Sequence, residues 1–120
     1  MIRPAEVIKL EGERPVSWNK YYAGRTGWQR QEESHRVADL MAVTCPSGPM
    51  FECPVNILVE VGFDKRPYDP DNICVKGYID GLKGRLIAND TIKEVKSITI
   101  VASKTKEPYV MIFVSPWRIG

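Results

Sequence analysis

The chain has 120 residues and a mass of 13.6 kDa, which is the size of one small domain. Hydrophobic residues make up 43% and charged residues 27% of it, and this balance is typical of a folded chain and excludes a disordered one. No apolar run approaches the roughly 20 residues of a membrane-spanning helix. The N-terminal segment MIRPAEVIKLEG carries charges where a signal peptide needs apolar residues, so a cytosolic location is expected. The net charge of +2 is too small to indicate a nucleic-acid partner by itself.

The three cysteines, Cys45, Cys53 and Cys74, cannot all pair with one another, and their spacing matches no common zinc motif. We therefore expect three reduced thiols that are largely buried. A metal site built from Cys45, Cys53 and His35 is the alternative.

The first half of the chain predicts one strand and one long helix. Residues 5–10 fit a short strand, and glycines and prolines then interrupt any long element as far as Gly27. Residues 29–44 fit an amphipathic helix that ends at Cys45-Pro46, because apolar side chains recur at helical spacing. The apolar side chains are Val37, Leu40 and Met41, and Thr44 continues the same spacing.

The second half predicts a strand at 53–63, a helix at 72–83 and strands at 94–102 and 109–115. Asp71 or Asn72 is expected to cap this second helix, and residues 103–108 are expected to form a hairpin loop between the last two strands. The resulting prediction is an α+β fold in which residues 1–120 form a single domain. Its mixed four-stranded sheet would carry two packed helices.

Five aspartates lie between residues 64 and 90, and three of them bracket the ends of predicted elements. Asp69 and Asp71 are two residues apart, so their side chains share one direction if the loop is extended. Together with Asp90 they would suit Mg²⁺, which prefers oxygen ligands. The alternative is ordinary turn and helix-cap chemistry. Lys76 is placed to approach a phosphate, and Asp80, four residues later, is placed to pair with it.

The segment from Arg14 to Arg30 contains cations and aromatic rings but no acidic residue. Cations that bind phosphates, alternating with flat rings that stack on unpaired bases, are typical of a surface that handles DNA strands. The alternative is that the tryptophans fill the core and the cations face solvent. The candidate DNA-binding residues are Arg14, Lys20, Tyr21, Tyr22, Arg25 and Arg30.

These segments together resemble the RusA family of Holliday-junction resolvases. The residues that carry the resemblance in the second half are Tyr-Asp-Pro-Asp-Asn (68–72), Lys76, Ile-Asp-Gly-Leu (79–82) and Asn89-Asp90. In the first half, Arg-Pro-Val-Ser-Trp-Asn-Lys-Tyr-Tyr (14–22) resembles the family's Pro-x-Ser-x-Asn segment. The resemblance covers nearly the whole chain.

The resemblance implies a phage or prophage-type endodeoxyribonuclease that binds four-way junctions as a homodimer and nicks two strands symmetrically, using Mg²⁺ or Mn²⁺. Asp69, Asp71 and Asp90 would then be the metal ligands and catalytic carboxylates, and Lys76 the catalytic lysine. Two alternatives stay open: a non-catalytic module that binds branched DNA, and a small structural or interaction protein. The first is favoured by Asn89, which stands where the family often has aspartate, and by one extra residue between Asn72 and Lys76.

Overall fold

The computed structural model describes residues 4–22 and 27–117. Within these ranges the chain forms four strands, three α-helices and one short 3₁₀ turn. In chain order these elements are β1 (Glu6–Glu11), α1 (Trp18–Tyr22), α2 (Gly27–Thr44), β2 (Val55–Phe63), the 3₁₀ turn Pro70–Asn72, α3 (Lys76–Leu82), β3 (Val95–Lys104) and β4 (Tyr109–Pro116). The predicted α+β fold with a mixed four-stranded sheet and two substantial helices is confirmed.

The strands are arranged in the order β1-β4-β2-β3. β4 is antiparallel to both β1 and β2, whereas β3 runs parallel to β2. Because a parallel neighbour needs a crossover connection, α3 lies in the segment between β2 and β3. The predicted hairpin between the last two strands is therefore wrong. The link after β3 passes the end of β2, where the N–H of Thr105 donates a 2.7 Å hydrogen bond to the carbonyl of Phe63.

The hydrophobic core lies between the helices and one face of the sheet. Alternate residues of β2 point into it, as the period-two pattern of the sequence predicts. These residues are Val55, Ile57, Val59 and Val61, and each is at most 1% exposed. Val37 and Met41 of α2 and Ile79 and Leu82 of α3 cover them from the other side.

Two glycines allow α3 to lie unusually close to α2. A methyl group added at Gly77 would come within 2.8 Å of Cγ1 of Val37, and one added at Gly81 within 2.5 Å of Cγ of Met41. Both distances are shorter than a carbon–carbon contact allows, so the helix spacing depends on glycine at these positions. Lys76 and Asp80, which flank them, are thereby fixed relative to α2.

The second helix begins four residues later than predicted. Residues Pro70–Asn72 form the 3₁₀ turn, Ile73 is extended, and α3 begins at Lys76 with Val75 as its N-cap residue. Neither Asp71 nor Asn72 caps it, so that prediction is wrong. Tertiary pairing explains the shift, because Ile73 forms an antiparallel bridge with Ser17.

Candidate nucleic-acid interface

The two segments singled out in the sequence meet in the fold. The N–H of Cys74 donates a 2.9 Å hydrogen bond to the carbonyl of Val16, beside the bridge between Ser17 and Ile73. The N–H of Asn19 donates to Oδ1 of Asn72 at 3.3 Å. The basic and aromatic segment therefore lies directly against the segment of Asp69, Asp71 and Lys76, although some fifty residues separate them in sequence.

The short helix α1 was not predicted, and it presents the aromatic residues. Ser17 is its N-cap, since the Ser17 Oγ accepts a 2.9 Å hydrogen bond from the N–H of Lys20. The rings of Trp18 and Tyr22, one helical turn apart, stack nearly parallel with centroids 5.9 Å apart. Tyr22 is 55% exposed, so its ring forms the outer layer of this stack. The guanidinium of Arg30 lies 5.4 Å from the Tyr22 centroid.

Three of the predicted DNA-binding residues fit a surface role, and one, Tyr21, does not. Lys20 is exposed, and Arg30 lies against the exposed ring of Tyr22. Tyr21 is only 7% exposed, and its hydroxyl is 2.9 Å from Ser34 Oγ, so its ring is part of the protein interior. Arg25 lies outside the described residues.

Arg14 is engaged by an acid from elsewhere in the chain. Its Nη2 and Nε lie 2.7 and 3.2 Å from the two carboxylate oxygens of Asp64. The hydrogen bond and charge of Arg14 lower the pKa of Asp64, and those of Asp64 raise the pKa of Arg14. The segment from Arg14 to Arg30 lacks acids in sequence, but folding supplies one, so Asp64 offsets part of the charge of Arg14, which stays exposed.

A buried ionic network fixes this segment to the helices. Glu13 is 5% exposed, and its two oxygens accept hydrogen bonds of 2.9 and 3.0 Å from Arg36 of α2. The hydroxyl of Tyr78 in α3 also donates to Glu13, and Arg36 reaches Glu33 as well. Because every buried charge has a partner, the network holds the start of the basic segment against both helices. The hydrogen bonds that Arg36 donates to Glu13, and then those to Glu33, raise the pKa of Arg36.

A chain of alternating charges runs along the exposed side of α3. Nζ of Lys76 lies 3.0 Å from Asp80, whose other oxygen lies 3.3 Å from Nζ of Lys83. Lys83 also lies 3.4 Å from Oδ2 of Asp90. The hydrogen bond that Lys76 donates to Asp80 is the largest cause of the raised pKa of Lys76, with smaller contributions from Tyr21 and Tyr22. The predicted pairing of Lys76 with Asp80 is confirmed, but Lys76 is the first residue of α3 and does not lie one turn inside it.

Sequence reasoning missed two further cations of this surface. Lys83 and Arg85 line an open groove of about 360 Å³ between α2 and α3, next to His35 and Asp80. The spacing of Lys76, Asp80 and Lys83 at positions i, i+4 and i+7 places all three on one helical face, and this signal was available in the sequence.

The three predicted metal ligands do not form a common site in this arrangement. Within residues 4–22 and 27–117, no group of three or more His, Cys, Asp or Glu side chains is placed to hold a metal ion. Asp71 lies inside the 3₁₀ turn, so the expectation that it shares one direction with the extended Asp69 fails. Asp90 forms an ion pair with Lys83.

The cysteines also differ in part from expectation. Cys45 and Cys74 are buried free thiols, and burial is the main cause of the raised pKa of each. Cys53 is free but exposed. The alternative metal site of Cys45, Cys53 and His35 is not formed by the described residues.

Comparisons with known proteins do not identify the chain. No protein-family model matches it, and no curated protein matches it in sequence. In the ranges that the structure describes, no helix combines the length and the apolar character needed to cross a lipid bilayer.

Proposed function

We propose that the protein is a structure-selective endodeoxyribonuclease of the RusA type, which binds branched DNA as a homodimer in the cytosol and nicks it. One observation carries the proposal. The two segments that resemble the family, one basic and aromatic and the other bearing Asp69, Asp71 and Lys76, lie side by side although they are distant in sequence. A surface that combines cations with an exposed aromatic ring suits branched DNA, in which crowded phosphates lie next to bases that unstack easily.

The residues of this surface have separate roles in the proposal. Tyr22, backed by Trp18 and flanked by Arg30, would stack on an unpaired base at the branch point. Lys76, at the start of α3, would bind a phosphate, and Asp80 orients its ammonium group. Lys83 and Arg85 extend the cationic surface along the groove between α2 and α3.

The resemblance implies Mg²⁺ or Mn²⁺ as the cofactor, and these ions supply Lewis-acid chemistry to phosphodiester hydrolysis. Asp69 and Asp71 accept no hydrogen bond through their side chains from the described residues, and both are exposed. They therefore remain the candidate carboxylates on the DNA-facing surface. Cleavage, unlike binding, would need carboxylates gathered around a metal ion, and Asp90 does not join Asp69 and Asp71 in such a group among the described residues.

A second candidate is favoured by that same point. A non-catalytic module would use the same cationic and aromatic surface to bind branched DNA, and would need no gathered carboxylates. Asn89, a neutral residue beside Asp90, is consistent with it.

A nicking assay on a synthetic four-way junction with Mg²⁺ separates these candidates. For the nuclease, the wild type nicks the junction symmetrically and Asp71→Asn reduces nicking at least 100-fold without loss of junction binding. Asp39→Asn is the matched control, because Asp39 is an exposed carboxylate of α2 on which the proposal places no role. Binding without nicking by the wild type would support the non-catalytic module. Absence of junction binding would exclude both.

A further inference from the structure

The outer edge of β3 has the features of a strand that pairs with another chain. β3 is the last strand of the sheet, and β2 lies on one side of it. Among the described residues no strand pairs with its other side. Ile98 is 47% and Val101 42% exposed, on opposite faces of this strand. The N–H and C=O groups along such an edge favour the addition of a further strand.

The middle of this edge also lacks the protection that sequence usually gives against pairing, and the 3₁₀ turn Pro70–Asn72 is the neighbouring loop that contacts β3. Sheet edges are normally short or carry charges or proline. The other edge, β1, has six residues and includes Glu6, Lys9 and Glu11. β3 has ten, and its segment from Ser97 to Ser103 contains neither a charge nor a proline. The register irregularity opposite Val55 and Asn56 precedes that segment and leaves it regular.

We propose that two copies of the chain pair through β3 in an antiparallel manner, with the two-fold axis at Thr99. This inference deepens the proposed function and rests on it only for the expectation of a homodimer. Residues that are directly opposite in an antiparallel pair lie on the same face of the sheet. With the axis at Thr99, Ile98 is opposite the partner's Ile100, and Ser97 is opposite the partner's Val101. Each half of the interface thus covers an exposed apolar side chain.

Charge selects this register over its neighbours. With the axis at Thr99, Glu94 lies opposite the partner's Lys104, so opposite charges meet. Moving the axis to Ile100 would place Lys96 opposite the partner's Lys104, and like charges in that position repel. Moving it to Ile98 would pair Ile98 with its own copy, but it would place Lys96 opposite the partner's Ile100 and separate Glu94 from the partner's Lys104.

The proposed pairing has a consequence for the DNA surface. Its two-fold axis is perpendicular to the sheet, so the four strands of each copy continue into one sheet of eight. The helices of both copies then lie on the same side of this sheet. The surface that carries Lys76 and Tyr22 in each copy would then face that side, and two cuts related by two-fold symmetry require this arrangement. A pairing of β3 with β1 of another copy would instead produce an open-ended filament.

A symmetric cross-link tests the register directly. In a Cys53→Ser background, which removes the exposed thiol, Thr99→Cys places two thiols opposite each other on the axis. Opposite Cα atoms in an antiparallel pair are about 4.5–5.5 Å apart, within the range of a disulfide. Ser103→Cys is the matched control, because the two Cys residues would lie roughly 26 Å apart at 3.3 Å per residue. We expect mild oxidation to cross-link Thr99→Cys at least ten times faster than Ser103→Cys. Equal rates, or no cross-link with Thr99→Cys, would overturn the proposal.

Sedimentation of a charge variant provides the second test. Thr99→Lys places two ammonium groups face to face on the axis while leaving the core intact, because Thr99 is exposed. We expect the dimer dissociation constant to rise at least tenfold with an unchanged circular dichroism spectrum. Ser47→Lys, in an exposed loop, is the control and should leave the constant unchanged. A wild type that sediments as a monomer, or a Thr99→Lys variant that stays as dimeric as the wild type, contradicts the pairing.

The two proposals fail separately. A chain that cross-links through Thr99→Cys but neither binds nor nicks junctions would refute the proposed function and support the β3 interface. A chain that nicks junctions but does not cross-link would refute the β3 interface alone.

Discussion

The backbone N–H of Cys74 donates a hydrogen bond to the carbonyl oxygen of Val16, and this contact decides how the candidate site is built. It ties the segment before α3 to the segment before α1. The same pairing holds residues 73–75 out of the helix, so that Lys76 becomes the first residue of α3. The position of the candidate phosphate-binding lysine is therefore set by a tertiary contact.

Replacement of Lys76 by Met should weaken junction binding and make it less dependent on salt. Each phosphate contact that is lost lowers the slope of log K against log salt by about 1. Binding of a fluorescent four-way junction, titrated at several salt concentrations, measures this slope. Lys106→Met removes an exposed lysine from the link between β3 and β4, and its slope should equal that of the wild type. Equal slopes for Lys76→Met and the wild type would remove Lys76 from the interface.

The sequence predicted most of the fold because the strongest patterns are local. The alternating residues of β2 and the helical spacing of Val37 and Met41 both record burial on one face. The pairing of β3 with β2 could not be predicted in this way. The residues after Lys104 resemble those of a hairpin turn, which would make β3 and β4 neighbours. In the structure, α3 instead connects β2 to β3 as a crossover, and these two strands are parallel neighbours.

The candidate site was predictable in its residue types but not in its geometry. The basic segment and the Asp–Lys segment were both recognised, yet the pairing of Arg14 with Asp64 depends on a contact across fifty positions. Lys83 was overlooked, and it is the residue that contacts Asp90. The sequence therefore indicates which chemistry is present, whereas long-range packing decides which charges neutralise one another.

Replacement of Gly81 by Ala should destabilise the protein although alanine is the better helix former. The gain in helix propensity is about 1 kcal/mol. The added methyl group would lie 2.5 Å from Cγ and 2.6 Å from Cβ of Met41, and overpacking of this kind costs about 1–3 kcal/mol. Urea unfolding followed by circular dichroism should therefore show a net loss of free energy of unfolding.

Its control is a double-mutant cycle with Met41→Ala. If the steric contact causes the loss, Gly81→Ala should cost less in the Met41→Ala background, because the methyl group then enters the space that methionine vacated. Additive effects in the cycle would show that the two helices do not depend on this contact.

The protein should lose stability in alkaline solution through Tyr78. Burial, followed by the charge of Glu13, raises the pKa of this phenol well above its usual range. The folded state then keeps the proton at a pH where the unfolded state releases it. Stability from this source is complete below the pKa of an unfolded tyrosine, about 10, and decreases as the pH rises above it.

The measurement is the free energy of unfolding by urea between pH 8 and 11, compared between wild type and Tyr78→Phe. The wild type should lose up to about 1.4 kcal/mol more per pH unit above pH 10 than this variant. Lys76 and Lys83, whose pKa values are also raised, contribute to both proteins and cancel in the difference. Tyr22→Phe, at an exposed position, should retain the wild-type slope. Parallel curves for wild type and Tyr78→Phe would disprove the assignment.

Replacement of Tyr22 by Ala should reduce affinity for branched DNA far more than affinity for duplex DNA. The loss of one base-stacking contact costs about 1–3 kcal/mol, which is roughly 5- to 150-fold in affinity. Duplex DNA offers no unpaired base, so the loss there should be small. Tyr22→Phe keeps the ring that stacks on Trp18 and should bind junctions like the wild type. If Tyr22→Ala weakened both substrates equally, the ring would serve only to place Arg30, and the branch-recognition role of the stack would be refuted.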